Sequence, residues 1–143
     1  MPLGSQAKVL RVIQDRKLYR VGGNKPVPVD IRLIVAANQN LLDMAANGAF
    51  RKDLYYRLSE FTIYVPALRE RKEDIPYLAK RFLDMANVEL NKTITGFTDA
   101  AVETLMSYDW PGNVRQLQSV IRRATLVARD EIIEKDLSIK RAE

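Results

Sequence analysis

Cysteine and histidine are both absent from the 143 residues of this chain. The absence of cysteine excludes disulfide bonds and thiolate metal sites, and the absence of histidine removes the most common metal ligand and the usual general base. Any catalysis by this chain must therefore use aspartate, glutamate, lysine, arginine or asparagine side chains. We accordingly predict no metal site.

Long apolar runs are also lacking. No stretch of about 18 apolar residues is found, and no charged-then-apolar leader opens the chain, so the sequence predicts neither a membrane span nor secretion. Apolar residues still make up 47% of the chain. That fraction is enough for one compact domain or two small subdomains.

The net charge is +5, from 23 basic and 18 acidic residues. Basic and acidic residues are interspersed in the segment 69–74, which is typical of a solvated, ion-paired surface. The excess of positive charge favours a partner with phosphates or an acidic surface, with nucleic-acid binding as the alternative.

The first part of the chain has a mixed α/β pattern. Amphipathic spacing predicts a short helix that includes Ala7 and Ile13, and the Gly22-Gly23 pair predicts the turn of a hairpin or loop tip. A continuous apolar run predicts a strand covered on both faces, as in a parallel sheet, at residues 31–37. Two helices and another strand are predicted at residues 41–47, 52–58 and 61–65.

From residue 74 onward the pattern predicts helices only. One apolar face begins at Ile75 and includes Met85, a second helix opens at Thr98, and a third begins at Asn113. The pattern changes near residues 66–73. We therefore expect a mixed α/β part followed by an all-α part.

Asn38 directly follows the predicted strand, at the end where open α/β sheets bind ligands. An amide there can orient a water molecule or contact a phosphate. Asparagine also commonly follows strands as a turn or helix-cap residue. The residue alone leaves both interpretations open.

Two arginines, Arg51 and Arg57, lie six residues apart. On a helix they would point about 120° apart, so they can act along one face only if Arg51 precedes the helix. Asp53 has the spacing for a simple pair with Arg57. The alternative is that one or both arginines bind a phosphate across a subunit boundary.

A third arginine, Arg115, lies in the first turn of the helix predicted from Asn113. Asn113 is a good N-cap, and Gln116 has the capping-box spacing. A cation at the positive end of the helix dipole is mildly unfavourable unless an anion is close. Arg115 either binds an anion at this helix start or reaches a carboxylate such as Asp109.

Three long blocks of the sequence together resemble one family. They are similar, in order and in spacing, to blocks of the bacterial sigma-54-dependent transcription activators, which are ring-forming AAA+ ATPases: QAKVLRVIQDRKLYRVGGNKPVPVDIRLIVAANQNL, GAFRKDLYYRLSEFTIYVPALRERKEDIP and YDWPGNVRQLQSVIRRA. The resemblance covers roughly residues 2–128. It implies an α/β fold, with the C-terminal part of an AAA+ core at residues 1–66 and a helical lid at residues 67–143.

The resemblance also implies roles for individual residues. Asn38 matches sensor I, which couples the γ-phosphate to movement of the substrate-contacting loops. Arg51 and Arg57 match two arginines assigned as trans-acting fingers for the ATP of the neighbouring protomer. Arg115 matches sensor II, which is directed at the γ-phosphate, and Asn113 belongs to the same nucleotide site.

Cofactors and partners follow from the resemblance. It implies ATP with Mg²⁺ as the cofactor of the intact protein and the sigma-54 RNA polymerase holoenzyme as its partner. It also implies that the intact protein assembles into a hexameric or heptameric ring. The implied location is the bacterial cytoplasm, without membrane contact. The stretch 22–29 resembles a loop of the family that supports a second loop, the one that contacts sigma-54. DNA binding is implied only through a domain absent from this chain. Ala37 departs from the family, which usually has threonine there.

The family's main nucleotide-binding blocks are not in this sequence. Its Walker A loop, its Walker B acids and its sigma-contacting GAFTGA loop are expected before residue 1. The Walker A lysine and its serine or threonine normally supply most phosphate binding. We therefore expect this chain alone neither to bind ATP tightly nor to hydrolyse it.

Two other functions stay open. The absence of the Walker blocks favours a non-catalytic lid or interaction module for this chain as it stands. A small helical DNA-binding domain would use the helix that begins at Asn113. That helix has an apolar face, however, and its only basic residues are Arg115, Arg122 and Arg123.

Overall fold

The computed structural model describes residues 1–139, and the chain divides into two compact units. The first unit ends at Tyr64 and the second begins at Val65. Each unit has its own cluster of buried apolar side chains. The predicted domain bounds, residues 1–66 and 67–143, stay a prediction.

The first unit contains three helices and one hairpin among its described residues. Its elements are α1 (Leu3–Asp15), β1 (Lys17–Tyr19), β2 (Pro26–Pro28), α2 (Leu41–Ala46) and α3 (Lys52–Leu58). The hairpin predicted around Gly22 is confirmed: β1 and β2 are antiparallel, with Leu18 opposite Val27. Gly22 has a φ of 76°, a backbone conformation that glycine adopts without strain.

The core of the first unit lies between its three helices. Apolar residues at helical spacing on α1 pack against α2, α3 and the loop that joins them, and the buried set is Leu10, Ala45, Phe50 and Leu54. Leu54 is fully buried. Burial of such a side chain stabilises the fold by roughly 1.5–3 kcal/mol, which fixes α3 against α1.

The strands predicted at residues 31–37 and 61–65 are not formed. Both runs are exposed, as shown by Ile34 at 84% and Phe61 at 83% of their full accessible surface. A strand needs the backbone groups of a neighbouring strand, and within residues 1–139 no strand pairs with either run. Apolar sequence alone therefore does not make these segments strands here.

The second unit is built mainly of helices. Two 3₁₀ turns (Leu68–Glu70 and Lys72–Asp74) precede α4 (Ile75–Leu90), β3 (Gly96–Phe97), α5 (Asp99–Ser107), α6 (Asn113–Val127), β4 (Glu131–Ile132) and α7 (Glu134–Leu137). The three predicted helices are confirmed. The parallel pair of β3 with β4 was not predicted, because two residues are too few to show alternation.

Packing of α4 against α6 forms the core of the second unit. The contact faces repeat at helical spacing and are fully buried or nearly so: Ile75, Ala79 and Leu83 on α4, and Leu117, Ile121 and Ala124 on α6. Met85 was predicted to lie on the same face of α4, but it is 51% exposed. The buried stripe is therefore narrower than the apolar pattern indicates.

Trp110 fixes the turn between α5 and α6. Its side chain is fully buried, and its indole Nε1–H donates to the Leu105 carbonyl at 2.9 Å. The Tyr108 ring meets it edge-on, with ring centroids 5.1 Å apart. One aromatic side chain thus anchors the end of α5 and the start of α6 at the same point.

An exposed ion pair joins α4 to α6 at the surface. Arg122 donates to the Glu89 carboxylate, with Nη2 2.7 Å and Nε 3.1 Å from Oε1. The hydrogen bond from Arg122, and then its positive charge, hold the pKa of Glu89 below its ordinary value of 4.5. Pairs of this kind contribute little to stability because solvent screens them.

Replacement of the buried indole should be costly. We expect Trp110→Ala to lower the free energy of unfolding by about 3–5 kcal/mol, because it removes a large buried ring and leaves a cavity. Urea denaturation of the chain measures the change. Tyr77→Ala removes another aromatic ring of the second unit, but one that is 67% exposed, and should be nearly neutral. Equal destabilisation by the two substitutions would contradict this account of the turn.

The pKa of Glu89 should report the ion pair. Because this pKa is lowered in the folded state, the contribution of the pair is complete above the ordinary glutamate value and is lost as the pH falls through the lowered pKa. In an NMR titration of the side-chain carboxyl, Arg122→Gln should raise the pKa of Glu89 toward its ordinary value. The neighbouring Arg123→Gln should leave it unchanged, and an equal shift in both variants would refute the specific pairing.

Candidate functional site

The predicted site residues are divided between the two units. Asn38, Arg51 and Arg57 belong to the first unit, whereas Asn113 and Arg115 belong to the second. Each group is described within its own unit.

Arg51 lies at the start of α3, at the N-cap position with extended backbone angles. Its guanidinium forms a two-pronged pair with Asp53, in which Nε is 3.0 Å from Oδ1 and Nη2 is 2.7 Å from Oδ2. The Arg51 hydrogen bond lowers the pKa of Asp53. Asp53 also accepts from the Leu54 N–H at 2.8 Å, so the same carboxylate binds a backbone N–H of the first turn and orients the arginine.

Arg57 lies in the last turn of α3, where a cation is favoured by the helix dipole. Its Nη1 lies 2.6 Å from Oε1 of Glu60. The alternative pair of Arg57 with Asp53 is not formed, because Asp53 is bound to Arg51. Arg51 precedes the helix. The two arginines therefore meet the condition for acting along one face.

Arg51 and Arg57 remain accessible despite their ion pairs. The side chains of Arg51 and Arg57 keep 42% and 48% of their accessible surface. Exposed pairs of this kind contribute little to stability because solvent screens them, so an incoming phosphate can replace either carboxylate. The pairs meanwhile hold the guanidinium groups in defined positions.

Gln6 is a component of this site that sequence reasoning missed. It is 1% exposed, and its side-chain oxygen accepts from the Arg51 N–H at 2.8 Å. Its Nε2 donates to the carbonyls of Ala49 and Met1, at 3.2 and 3.0 Å. The signal was present, since Gln6 occupies an apolar position in the spacing that continues at Leu10 and Ile13.

Asn38 lies in an irregular segment whose residues are all exposed, 30–40. The helix-cap interpretation of Asn38 is wrong, because Asn40 caps α2 by accepting from the backbone N–H groups of Leu42 and Asp43. Asn38 takes part in a bend of the chain. Its side chain forms no hydrogen bond with any described residue, and its sensor role stays a prediction.

The start of α6 differs by one residue from the prediction. Gly112, not Asn113, is the N-cap, and Gln116 Oε1 accepts from the Gly112 N–H at 2.8 Å. A Cβ atom at position 112 would lie 2.8 Å from the Gln116 Cβ, so only glycine fits there. Asn113 has a φ of 51°, and its side-chain oxygen instead accepts from the Leu68 N–H at 2.8 Å. Asparagine tolerates this left-handed backbone better than most residues.

Arg115 is exposed in the first turn of α6. Asp109 was the expected alternative partner of Arg115, but its Oδ1 lies 3.9 Å from Nζ of Lys72 instead. No ion pair or hydrogen bond joins the Arg115 guanidinium to any of residues 1–139. This guanidinium, at the positive end of a helix dipole, is therefore available to an external anion.

Other kinds of site find no support in the described part of the chain. No group of three or more acidic side chains there is arranged to hold a metal ion. Within residues 1–139, no helix is long and apolar enough to cross a membrane. The chemistry offered by the site residues is contact with anions by arginine.

Two family models match the chain in sequence. The Sigma-54 interaction domain matches residues 1–64, and the AAA+ ATPase lid domain matches residues 69–139. Together the two matches contain all five predicted site residues.

Individual relatives agree with these matches. The chain is 49% identical to the nitrogen fixation protein AnfA of Azotobacter vinelandii over 128 residues, and 43% identical to the DNA-binding transcriptional activator HyfR of Escherichia coli over 142 residues. These alignments cover 90% and 99% of this chain. A crystal structure of NtrX from Brucella abortus in complex with ATP superposes with a TM-score of 0.90 at 36% identity, over 100% of this chain.

The chain spans 24% of the length of AnfA, 21% of HyfR and 35% of the NtrX chain. The matched segments lie in the same order as the three blocks that carry the family resemblance. The chain therefore belongs to the sigma-54-dependent bacterial transcription activators, and it carries the C-terminal part of their AAA+ ATPase domain together with its helical lid.

Proposed function

We propose that this chain works within an ATP-dependent activator that remodels the sigma-54 RNA polymerase. The observation that carries the proposal is Arg115, an exposed guanidinium on a helix whose start is fixed by hydrogen bonds to Asn113 and Gln116. Membership of the family supports the sigma-54 partner, and the ATP complex of NtrX supports a nucleotide ligand.

Arg115 acts as the sensor of the bound nucleotide in this proposal. ATP supplies a γ-phosphate whose negative charge matches a guanidinium at a helix N-terminus. Asn113 supports this contact indirectly, because its side chain ties the start of α6 to Leu68. Movement of α6 on phosphate binding would then be transmitted to the 3₁₀ turn that begins at Leu68.

Arg51 and Arg57 act on the ATP of a neighbouring subunit. A guanidinium supplied across a subunit boundary stabilises the charge that develops during phosphoryl transfer. Both side chains are accessible and pre-oriented by carboxylates, as such a role requires. Asn38 would couple the phosphate to the loops that contact sigma-54.

The described residues fit only part of a nucleotide site. They supply arginine contacts to phosphate, but they contain no acidic cluster for Mg²⁺. The Mg²⁺ ligands and the phosphate-cradling loop would therefore come from another part of the complete activator. The exposed apolar runs at residues 31–37 and 61–65 would be covered by that same part.

The remaining partners also belong to the complete activator. We infer a ring of like subunits, since trans-acting arginines need a neighbour, and a location in the bacterial cytoplasm, where the polymerase works. The hairpin of β1 and β2 would support the loop that contacts sigma-54. DNA would be bound by a different domain.

A non-catalytic interaction module is the second candidate, and one observation favours it. The 143 residues contain no phosphate-binding loop of the Gly-Lys-Ser/Thr type. A DNA-binding role for α6 is disfavoured, because its apolar face is buried against α4 and Arg122 is bound to Glu89.

Removal of a proposed finger should separate binding from hydrolysis. In the complete activator, we expect Arg57→Ala to abolish ATP hydrolysis and to leave nucleotide affinity largely intact, because the arginine serves the neighbouring subunit. Turnover and nucleotide titration measure the two effects. Lys52→Ala removes another exposed cation of α3 and is the matched control. Equal loss of binding and turnover would indicate a merely structural arginine.

The chain by itself should show no ATP hydrolysis above background, because it lacks the loop that supplies most phosphate binding. Phosphate release at saturating ATP and Mg²⁺ is the measurement. Turnover that disappears in Arg57→Ala would overturn the expectation, since it would locate a complete catalytic site in these 143 residues.

A further inference from the structure

We propose that Gln6 is a positioning residue for Arg51: its buried side-chain amide sets the place from which this arginine reaches the neighbouring nucleotide. The inference rests on the proposed finger role of Arg51. It concerns a residue on a different helix, far from Arg51 in the sequence.

The geometry is that of a clamp on the loop between α2 and α3. The Gln6 amide donates to the Ala49 carbonyl at 3.2 Å and accepts from the Arg51 N–H at 2.8 Å. The two contacted residues flank Phe50, which is itself buried in the core of the first unit. A side-chain amide therefore binds this backbone as a neighbouring strand would.

All hydrogen-bonding groups of the Gln6 side-chain amide are used in the clamp. Its second Nε2 hydrogen donates to the Met1 carbonyl at 3.0 Å, so both donors and the acceptor of the amide are used. The Arg51 N–H precedes the first turn of α3 and has no partner within the helix. Methionine at position 6 would fill the space but offer no hydrogen bond, and glutamate would oppose its oxygens to two carbonyls.

The clamp acts on the Arg51 side chain through the backbone. The guanidinium is tied to Asp53 two residues later, so the arginine and its carboxylate follow the same stretch of chain. If the Arg51 amide is released, the start of α3 can shift. Displacement of a catalytic group by about 1 Å lowers the rate by about 100-fold.

The sequence offers a matched control on the same helix. Gln14 also lies on α1 but is exposed. In the complete activator, we expect Gln6→Met to lower kcat for ATP hydrolysis by about 10- to 100-fold at an unchanged KM for ATP. Gln14→Met should keep both constants at their unsubstituted values.

Rings assembled from two different variants distinguish a misplaced arginine from a general structural defect, and ATP hydrolysis is the measurement. A Gln6→Met subunit would supply a misplaced finger but keep its own nucleotide site. Mixing it with Arg115→Ala subunits, whose fingers are intact, should restore part of the hydrolysis. Mixing it with Arg51→Ala subunits, whose fingers share the defect, should restore none. Equal restoration in both mixtures would overturn the proposal.

Hydrogen exchange at backbone amides of this chain tests the clamp without a measurement of ATP hydrolysis. Gln6→Met should speed hydrogen exchange at the Arg51 amide by at least tenfold, whereas exchange at the Ser59 amide, which is bonded to the Tyr55 carbonyl, should not change. Unchanged exchange at Arg51 would refute the clamp. If Gln6→Met does not fold, Gln6→Asn keeps the amide on a shorter arm and should show the same effects at reduced size.

The two levels of the proposal fail differently. Hydrolysis that survives Arg51→Ala refutes the finger role itself. Hydrolysis that is lost in Arg51→Ala but normal in Gln6→Met refutes only the positioning role. Loss of nucleotide affinity together with kcat in Gln6→Met would assign Gln6 to overall folding and likewise refute it.

Discussion

Both units depend on a side-chain amide that satisfies backbone groups of a distant segment. Gln6 binds the loop at residues 49–51, and Asn113 accepts from the Leu68 N–H. Backbone groups in packed loops must find a partner, because burying them unpaired costs about as much as a lost hydrogen bond. No backbone group among residues 1–139 supplies one to the Ala49 carbonyl or to the Arg51 and Leu68 N–H groups. The amides do so, and they thereby fix the backbone that carries Arg51 and Arg115.

The arginines differ in how their charge is compensated. Arg51 and Arg57 are held by Asp53 and Glu60, whereas Arg115 forms no pair with any residue that the structure describes. A weak surface pair orients a guanidinium and is readily exchanged for a stronger anion. Arg115 instead relies on the rigid start of α6. Pre-orientation therefore comes from carboxylates in one unit and from backbone anchoring in the other.

The limits of prediction follow from the range of each interaction. The helices of the second unit were predictable because their apolar spacing is a local property, visible along 16 residues in α4. The strand at residues 31–37 was predicted from its apolarity and is absent, since pairing depends on other segments. The three arginines of the candidate site could be recognised in the sequence, but the carboxylates that pair with Arg51 and Arg57 could not be assigned from it. Gln6 was overlooked because its contacts lie 43 and 45 residues away.

The sequence by itself determined the family, the helical spacing of α4 and α6 and the identity of the arginines. Those properties depend on residue type and short-range order. Only the tertiary structure decided that Asp53 pairs with Arg51 rather than Arg57, and that Gly112 rather than Asn113 caps α6. Choices of this kind depend on which groups meet within about 3 Å in three dimensions, and spacing along the chain does not specify that.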